Sequence, residues 1–205
     1  HDVRPADHMD VVGDLLDDRA RSSVADFIAD TGVDCVVAAH GLPGSMDLRH
    51  ADADLIDHVM RVNTVAVMRL YDDVSATLAE RQGVFVIVSS QAGLVGEAQN
   101  GVYSASKFAL VGWARELARD STGIHPRIRV ICPGMTETPL LVGAFQGMAD
   151  ASKRTYDEVL NSRLAQVPGG RLGQPSEIGR ATVWLAELQK RACLVAVING
   201  GELLV

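Results

Sequence analysis

The chain has no surplus of positive charge. Lys+Arg 19 against Asp+Glu 26 leaves a net charge of −7. Phosphate backbones are held by clustered cations, so this balance argues against a nucleic-acid surface. Cysteine is scarce. The three, Cys35, Cys132 and Cys193, fall in or beside apolar strand-like runs. That pattern reads as buried thiols in a reduced compartment. There is no Cys-x-x-Cys and no His–Cys cluster, so no metal site is expected. Long hydrophobic runs are also missing. Stretches such as Ala192 to Ile198 fall far short of the ~20 apolar residues of a membrane helix. No signal peptide is visible, and the cytoplasm is the expected compartment. Repeats, linkers and low-complexity tracts do not occur. What remains is 205 residues, enough for one domain, 1–205, with a real core.

The apolar pattern divides this domain into alternating elements. Val11-Val12 reads as a short strand, and Ser22 to Ala29 as a helix ended near Gly32. Cys35 to Ala39 is rich in β-branched residues without alternation, which suits a strand covered on both faces. Asp54 to Glu80 reads as one long helical region, with Leu55, Val59, Val62, Ala66 and Leu70 near helical spacing. Strands are expected at 84–88, 128–131 and 194–198. Helices are expected from Val102 to Arg119, with Phe108, Val111 and Leu117 packing, and from Ser176 to Glu187, with Ser176 as N-cap. Residues 140–166 are mixed and read as a mobile helical lid. Strand–helix alternation of this kind predicts an α/β doubly wound parallel sheet.

The chemistry gathers around Tyr103-Ser104-Ala105-Ser106-Lys107. On a helix, residues four apart share a face. An ammonium beside a phenol favours the phenolate, which makes a group titrating near pH ~10 useful closer to neutrality. Ser90, at the end of the apolar run Val84 to Val88, adds a hydroxyl able to hold a carbonyl or alcohol oxygen. Together the three groups describe proton exchange with a carbonyl oxygen while hydride moves elsewhere.

These residues resemble the short-chain dehydrogenase/reductase family, and the resemblance runs along nearly the whole chain. Val84 to Ser90 resembles the family's central strand with its catalytic serine. Asn63, in Arg61-Val62-Asn63-Thr64, matches the asparagine of its catalytic tetrad. Cys132-Pro133-Gly134-Met135-Thr136-Glu137-Thr138-Pro139 resembles the segment that closes over the nicotinamide. Gly170 to Ile178 resembles the loop before the last helix, and Asn199-Gly200-Gly201 stands where many members have Asp-Gly-Gly.

The resemblance implies an oxidoreductase that interconverts a secondary alcohol and a ketone. Tyr103 would be the acid/base and Ser90 would position the oxygen. Lys107 would lower the Tyr103 pKa and bond the nicotinamide ribose, and Asn63 would hold a relay water. Asp2 would accept from the adenosine ribose hydroxyls and favour NAD over NADP; Arg4 could instead welcome a 2′-phosphate. Asp14 and Leu15 match the adenine-contacting pair. Ala39 and Gly41 would pass the cofactor, Pro133 and Gly134 shape a turn, and Thr138 would bond the carboxamide with Thr136 lending a backbone contact. The implied assembly is a homodimer or homotetramer through the helices from Asp54 and Val102.

The sequence also departs from the family. The opening strand and Gly-x-x-x-Gly-x-Gly turn that cradle the pyrophosphate do not occur, and such a unit would precede His1. Ala38-Ala39-His40-Gly41 replaces Asn-Asn-Ala-Gly, and Arg191-Ala192-Cys193 replaces a glycine-containing run. His40 is expected to sit by the cofactor ribose without doing chemistry. Met135, Leu140, Leu141, Phe145 and Met148 line either an apolar pocket, suited to a cyclic or steroid-like substrate, or a plain lid core. Two other functions stay open: an NADPH-dependent 3-oxoacyl thioester reductase, and a non-catalytic dinucleotide-binding or scaffold protein.

Overall fold

The computed structural model describes residues 11–44, 52–98, 100–119, 125–189 and 193–202. Four parallel strands form one sheet in the order β1-β2-β3-β4. They are β1 (Cys35–Ala38), β2 (Val84–Val88), β3 (Arg127–Pro133) and β4 (Leu194–Ile198). Each neighbouring pair is parallel, so every connection must cross over the sheet. Helices cover both faces. α1 (Asp18–Thr31), α3 (Ala66–Glu80) and α4 (Gly101–Leu117) close one core around Phe85, Ile87, Ile128 and Val130. α7 (Pro175–Glu187) closes the other around Val84, Val86 and Ile131. The expected doubly wound parallel sheet is what the chain forms.

Several boundaries differ from the sequence reading, each for a local reason. Val12 makes a single bridge, not a strand. α1 begins four residues before Ser22, because Asp17 caps it by accepting from the Arg19 amide; Gly32, at φ 76°, ends it. The long helix is continuous but irregular. α2 (Ala53–Met60) runs into a π turn (Arg61–Val65) and then α3; the Ala66 amide closes the wide turn on the Arg61 carbonyl. α7 is capped by Gln174, not Ser176, since Pro175 occupies the first turn and Glu177 returns to the Gln174 amide. Phe108 does not pack internally: it is 43% exposed on α4.

The stretch expected to be a lid is two helices, α5 (Pro139–Ser152) and α6 (Tyr156–Leu164). Thr155 and Glu158 form a reciprocal capping box at the start of α6. The pair has its own small core of Phe145, Ala149 and Val159. No helix among the described residues is long and apolar enough to cross a membrane. Among the same residues no group of His, Cys, Asp or Glu is placed to hold a metal. The cysteines are free; Cys132 is buried, and Cys35 and Cys193 are partly so.

Candidate active site

The carboxyl ends of the strands open on a cavity of about 520 Å³. That is where an open parallel sheet takes its ligand, and the volume is within the range of small-molecule sites. Ser90, Tyr103 and Lys107 all line it. Ser90 leaves the end of β2 and caps the short turn Gln91–Gly93 by accepting from the Ala92 amide. Tyr103 and Lys107 come one helical turn apart from α4. The Ser90 hydroxyl is near enough to the Tyr103 hydroxyl to favour its ionised form.

Small residues bring α4 close enough for this. A Cβ on Gly44 would lie 2.8 Å from the Tyr103 amide nitrogen. One on Gly93 would lie 2.6 Å from Ser89 Oγ and 2.8 Å from the Lys107 carbonyl. Such separations are not tolerated, so α4 rests directly on backbone at both points. Ser89 Oγ donates to the Lys107 carbonyl at 3.0 Å and ties the helix to β2.

Asn63 sits on the π turn, fully buried. Its Nδ2 donates to the Leu42 carbonyl at 3.0 Å and to Ser106 Oγ at 3.1 Å, while its Oδ1 accepts from the Leu42 amide at 2.7 Å. Thr64 donates to the Ser106 carbonyl at 3.0 Å. The π turn thus binds the Leu42 loop to α4. Asn63 does not line the cavity itself, but a Cβ on Gly41 would stand 3.4 Å from both Asn63 Oδ1 and Lys107 Nζ. An added methyl there would make ordinary contact with both side chains.

The electrostatics correct one expectation. Lys107 was expected to lower the Tyr103 pKa. Burial instead pushes the Tyr103 phenol up; the neighbouring Ser90 hydroxyl opposes this and the Glu97 charge adds to it. Lys107 lies over the ring, 5.7 Å from its centre, and does not pair with the hydroxyl. Its Nζ donates to the Val88 carbonyl at 3.0 Å, and burial lowers its pKa to about 8. An ammonium has three donors, so Lys107 keeps donating capacity toward the cavity. His40 also lines the cavity. Burial, then the Lys107 charge, lowers its pKa to about 4, and the Val62 backbone bond opposes them. His40 is therefore neutral at pH 7, and its Nε2 is buried without a hydrogen-bond partner among the described residues.

Ala39, Gly41, Pro133, Gly134, Thr136 and Thr138 line the same cavity. Thr138 Oγ1 caps α5 by accepting from the Leu141 amide at 3.3 Å. Thr136 pairs with Gly173, and Gln174 Nε2 donates to Glu137 at 2.8 Å. The Gly170–Ile178 loop therefore braces the turn after β3. Arg171 grips Glu177 through both terminal nitrogens at 2.7 and 2.9 Å, which, with the Gln174 amide, holds the Glu177 carboxyl down to about 2.

Two expected cofactor contacts do not reach the cavity. Asp14 accepts from the Leu16 amide at 2.9 Å in the turn before α1, and Leu15 is buried in the main core. Asp2 and Arg4 lie outside the described residues. Sequence reasoning missed Gln91, Glu97, Arg163 and Glu202 in the lining. Gln91 Nε2 donates to Glu97 at 3.1 Å and to Glu202 at 2.9 Å. Nothing in local spacing signals a contact between residues 91 and 202.

The residues present fit the nicotinamide–ribose half of a dinucleotide. The space above Gly41, the free donors of Lys107 and the open turn after β3 all face one cavity. A family model described as enoyl-(acyl carrier protein) reductase matches residues 4–201. The chain belongs to the short-chain dehydrogenase/reductase family. Among curated relatives, it is 31% identical over 156 residues to 3-oxoacyl-(acyl-carrier-protein) reductase of Vibrio cholerae, covering 76% of this chain and 59% of that one. It is 34% identical over 167 residues to 2-(S)-hydroxypropyl-CoM dehydrogenase 3 of Xanthobacter autotrophicus, covering 78% and 62%. Among solved structures, an actinorhodin polyketide ketoreductase with NADPH superposes with TM-score 0.85 at 25% identity, covering 93% of this chain and 76% of that one. The chain spans about three fifths of the length of these curated relatives.

Proposed function

We propose that this short-chain dehydrogenase/reductase interconverts a secondary alcohol and a ketone with a nicotinamide dinucleotide. The observation that carries the reading is the convergence of Ser90, Tyr103 and Lys107 on one cavity at the carboxyl edge of the sheet. The bound nicotinamide supplies or accepts the hydride. Tyr103, protonated at neutral pH, donates its proton to the substrate oxygen in reduction and takes it back in oxidation. Ser90 holds that oxygen. Lys107 points spare donors at the ribose, and Asn63 fixes the loop that keeps Gly41 open beside it. The carboxylate of Asp2 favours NAD. Arg4 and the neighbour solved with NADPH favour NADP as the second choice.

A 3-oxoacyl thioester reductase is the second reading, supported by the similarity to the Vibrio cholerae protein. A non-catalytic binding protein has less support, because its site would not need Ser90, Tyr103 and Lys107 together on one cavity. The exposed Ile56 on α2, Phe108 on α4, and Val183 and Trp184 on α7 support a homodimer or homotetramer. Three free thiols suit a reducing compartment such as the cytoplasm.

The test follows NADH and NADPH absorbance over secondary alcohols, ketones and 3-oxoacyl thioesters, with Tyr103→Phe as control. Turnover that falls by about 10³-fold in the variant supports the reading. Cofactor binding without turnover on any compound would favour the non-catalytic protein.

A further inference from the structure

The cavity wall contributed by the two lid helices carries one cation with no acidic partner. Arg163, on α6, lines the cavity. Its guanidinium has five donors, yet its one side-chain hydrogen bond among the described residues is Nη2 to Met148 Sδ at 3.8 Å. A thioether is a weak acceptor. The other charged groups of the lining are engaged. Lys107 bonds the Val88 carbonyl, Glu97 accepts from Gln91 and Asn100, and Glu202 accepts from Gln91. Lys107 keeps spare donors but has an oxygen acceptor; Arg163 is the lining cation whose side chain has none among the described residues.

Its place at the far end of α5 from the turn after β3 defines a length. The apolar side chains Leu140, Leu141, Ala144, Phe145 and Met148 line the cavity from α5. That helix starts beside Thr138, at the turn after β3, and Met148 lies ten residues along it. At 1.5 Å per residue, this is about 15 Å from the turn to the residue that Arg163 touches. A guanidinium presents a planar fork that matches carboxylate or phosphate oxygens. We infer that Arg163 is a specificity residue that receives an anionic group at the end of an apolar substrate, while Ser90 and Tyr103 hold the reacting oxygen. The substrate class is a medium-length ketone or secondary alcohol ending in a carboxylate, or carried on a phosphate-bearing thioester arm. Both place an anion at the far end of a chain from the reacting oxygen. The inference rests on the oxidoreductase reading and narrows it.

The experiment compares matched pairs in the intact protein. One pair is 7-oxooctanoate and 2-octanone. The other is a 3-oxoacyl thioester of phosphopantetheine and of pantetheine. The protein should prefer the charged member of at least one pair by about tenfold in kcat/KM, mostly through KM; the pair that responds identifies the source of the anion. Arg163→Gln should remove that preference and change the neutral member less than twofold, which also checks folding. Arg163→Lys should restore part of it. Equal use of charged and neutral members, or an equal loss of both in Arg163→Gln, would overturn the inference. Calorimetry with octanoate and octanamide separates it from the parent reading. Octanoate binding that is lost in Arg163→Gln, in a protein that turns over no ketone, supports the anion site while the oxidoreductase reading fails. Octanoate binding unchanged in the variant overturns the anion site, as does a parent protein that binds neither octanoate nor phosphopantetheine.

Discussion

Two cations are buried beside the same sheet, and they are treated in opposite ways. Lys107 is 3% exposed and Arg129 is 0% exposed. Arg129 points from β3 to the end of α7 and donates to three carbonyls. Nε reaches Leu185 O at 3.0 Å, Nη1 reaches Ile128 O at 2.9 Å, and Nη2 bonds Leu188 O. Carbonyls at a helix C-terminus lack intrahelical partners and carry partial negative charge. Arg129 therefore satisfies a helix end as the helix end satisfies it. Lys107 has one carbonyl, a lowered pKa and an open cavity beside it. A saturated buried cation serves the fold. An undersatisfied one beside a cavity is held ready for a ligand.

The largest effect that would sharpen this contrast is on activity. Lys107→Met should reduce turnover by about 10³-fold in the absorbance assay. It should leave thermal stability unchanged or raised, because an apolar isostere avoids the cost of burying charge. Arg129→Met should do the reverse. Orphaned carbonyls at the end of α7 should cost about 2–4 kcal/mol in urea denaturation, with turnover per folded molecule retained. A stable, inactive Arg129 variant would break the contrast.

Next in size is a pH effect. Folded Lys107 releases its proton near 8, whereas the unfolded side chain holds it to its ordinary value of 10.5. Between these values the unfolded chain binds more protons, so Lys107 makes stability rise with pH. Below pH 8 both states are protonated and the cost of the buried ammonium is fully present. Denaturation midpoints from pH 7.5 to 10.5 should show this slope in the parent protein and not in Lys107→Met. Gly44→Ala comes next. The added methyl would meet the Tyr103 amide nitrogen at 2.8 Å. Displacing Tyr103 should lower kcat by about tenfold while the far-ultraviolet dichroism stays the same. The smallest effect is at His40. Its folded pKa near 4, against 6.5 ordinarily, means that stability falls as pH drops from 6.5 to 4. His40→Gln should flatten that limb of an acid titration followed by tryptophan fluorescence.

Much of this contrast was readable in the chain, but not all. The unalternated apolar run at Val84 to Val88 announces a buried strand, because only a sheet covered on both faces wants it so; the similar run Leu194 to Ile198 forms the sheet edge and stays half-buried. Tyr103, Lys107 and Ser90 were legible as a set because their spacing and residue types carry the chemistry. The sign of the Tyr103 shift was not, since spacing places two groups near each other but does not give their burial. Arg129 was invisible for the same reason: its partners Leu185 and Leu188 lie more than fifty residues away, at the end of α7. Some signals were present and unused. Thr138-Pro139 and Thr155-x-x-Glu158 are helix starts, and they divide the lid into α5 and α6. Gln174-Pro175-x-Glu177 marks the start of α7 in the same way. Arg163 offered no signal, because it looks like any polar residue on an exposed helix face until the helix is placed.

The π turn at Arg61–Val65 has a consequence for the chain's history of insertion and loss. An α-helix turns by about 100° per residue, and a wide turn holds one residue more than a regular one. α2 packs on α4, whereas α3 packs on α1 and β2. The extra residue sets the phase between these two faces. Deleting one position from 61–65 would yield a shorter and more regular helix, with every later side chain rotated away from its neighbour. Length, more than composition, is what this segment has to keep.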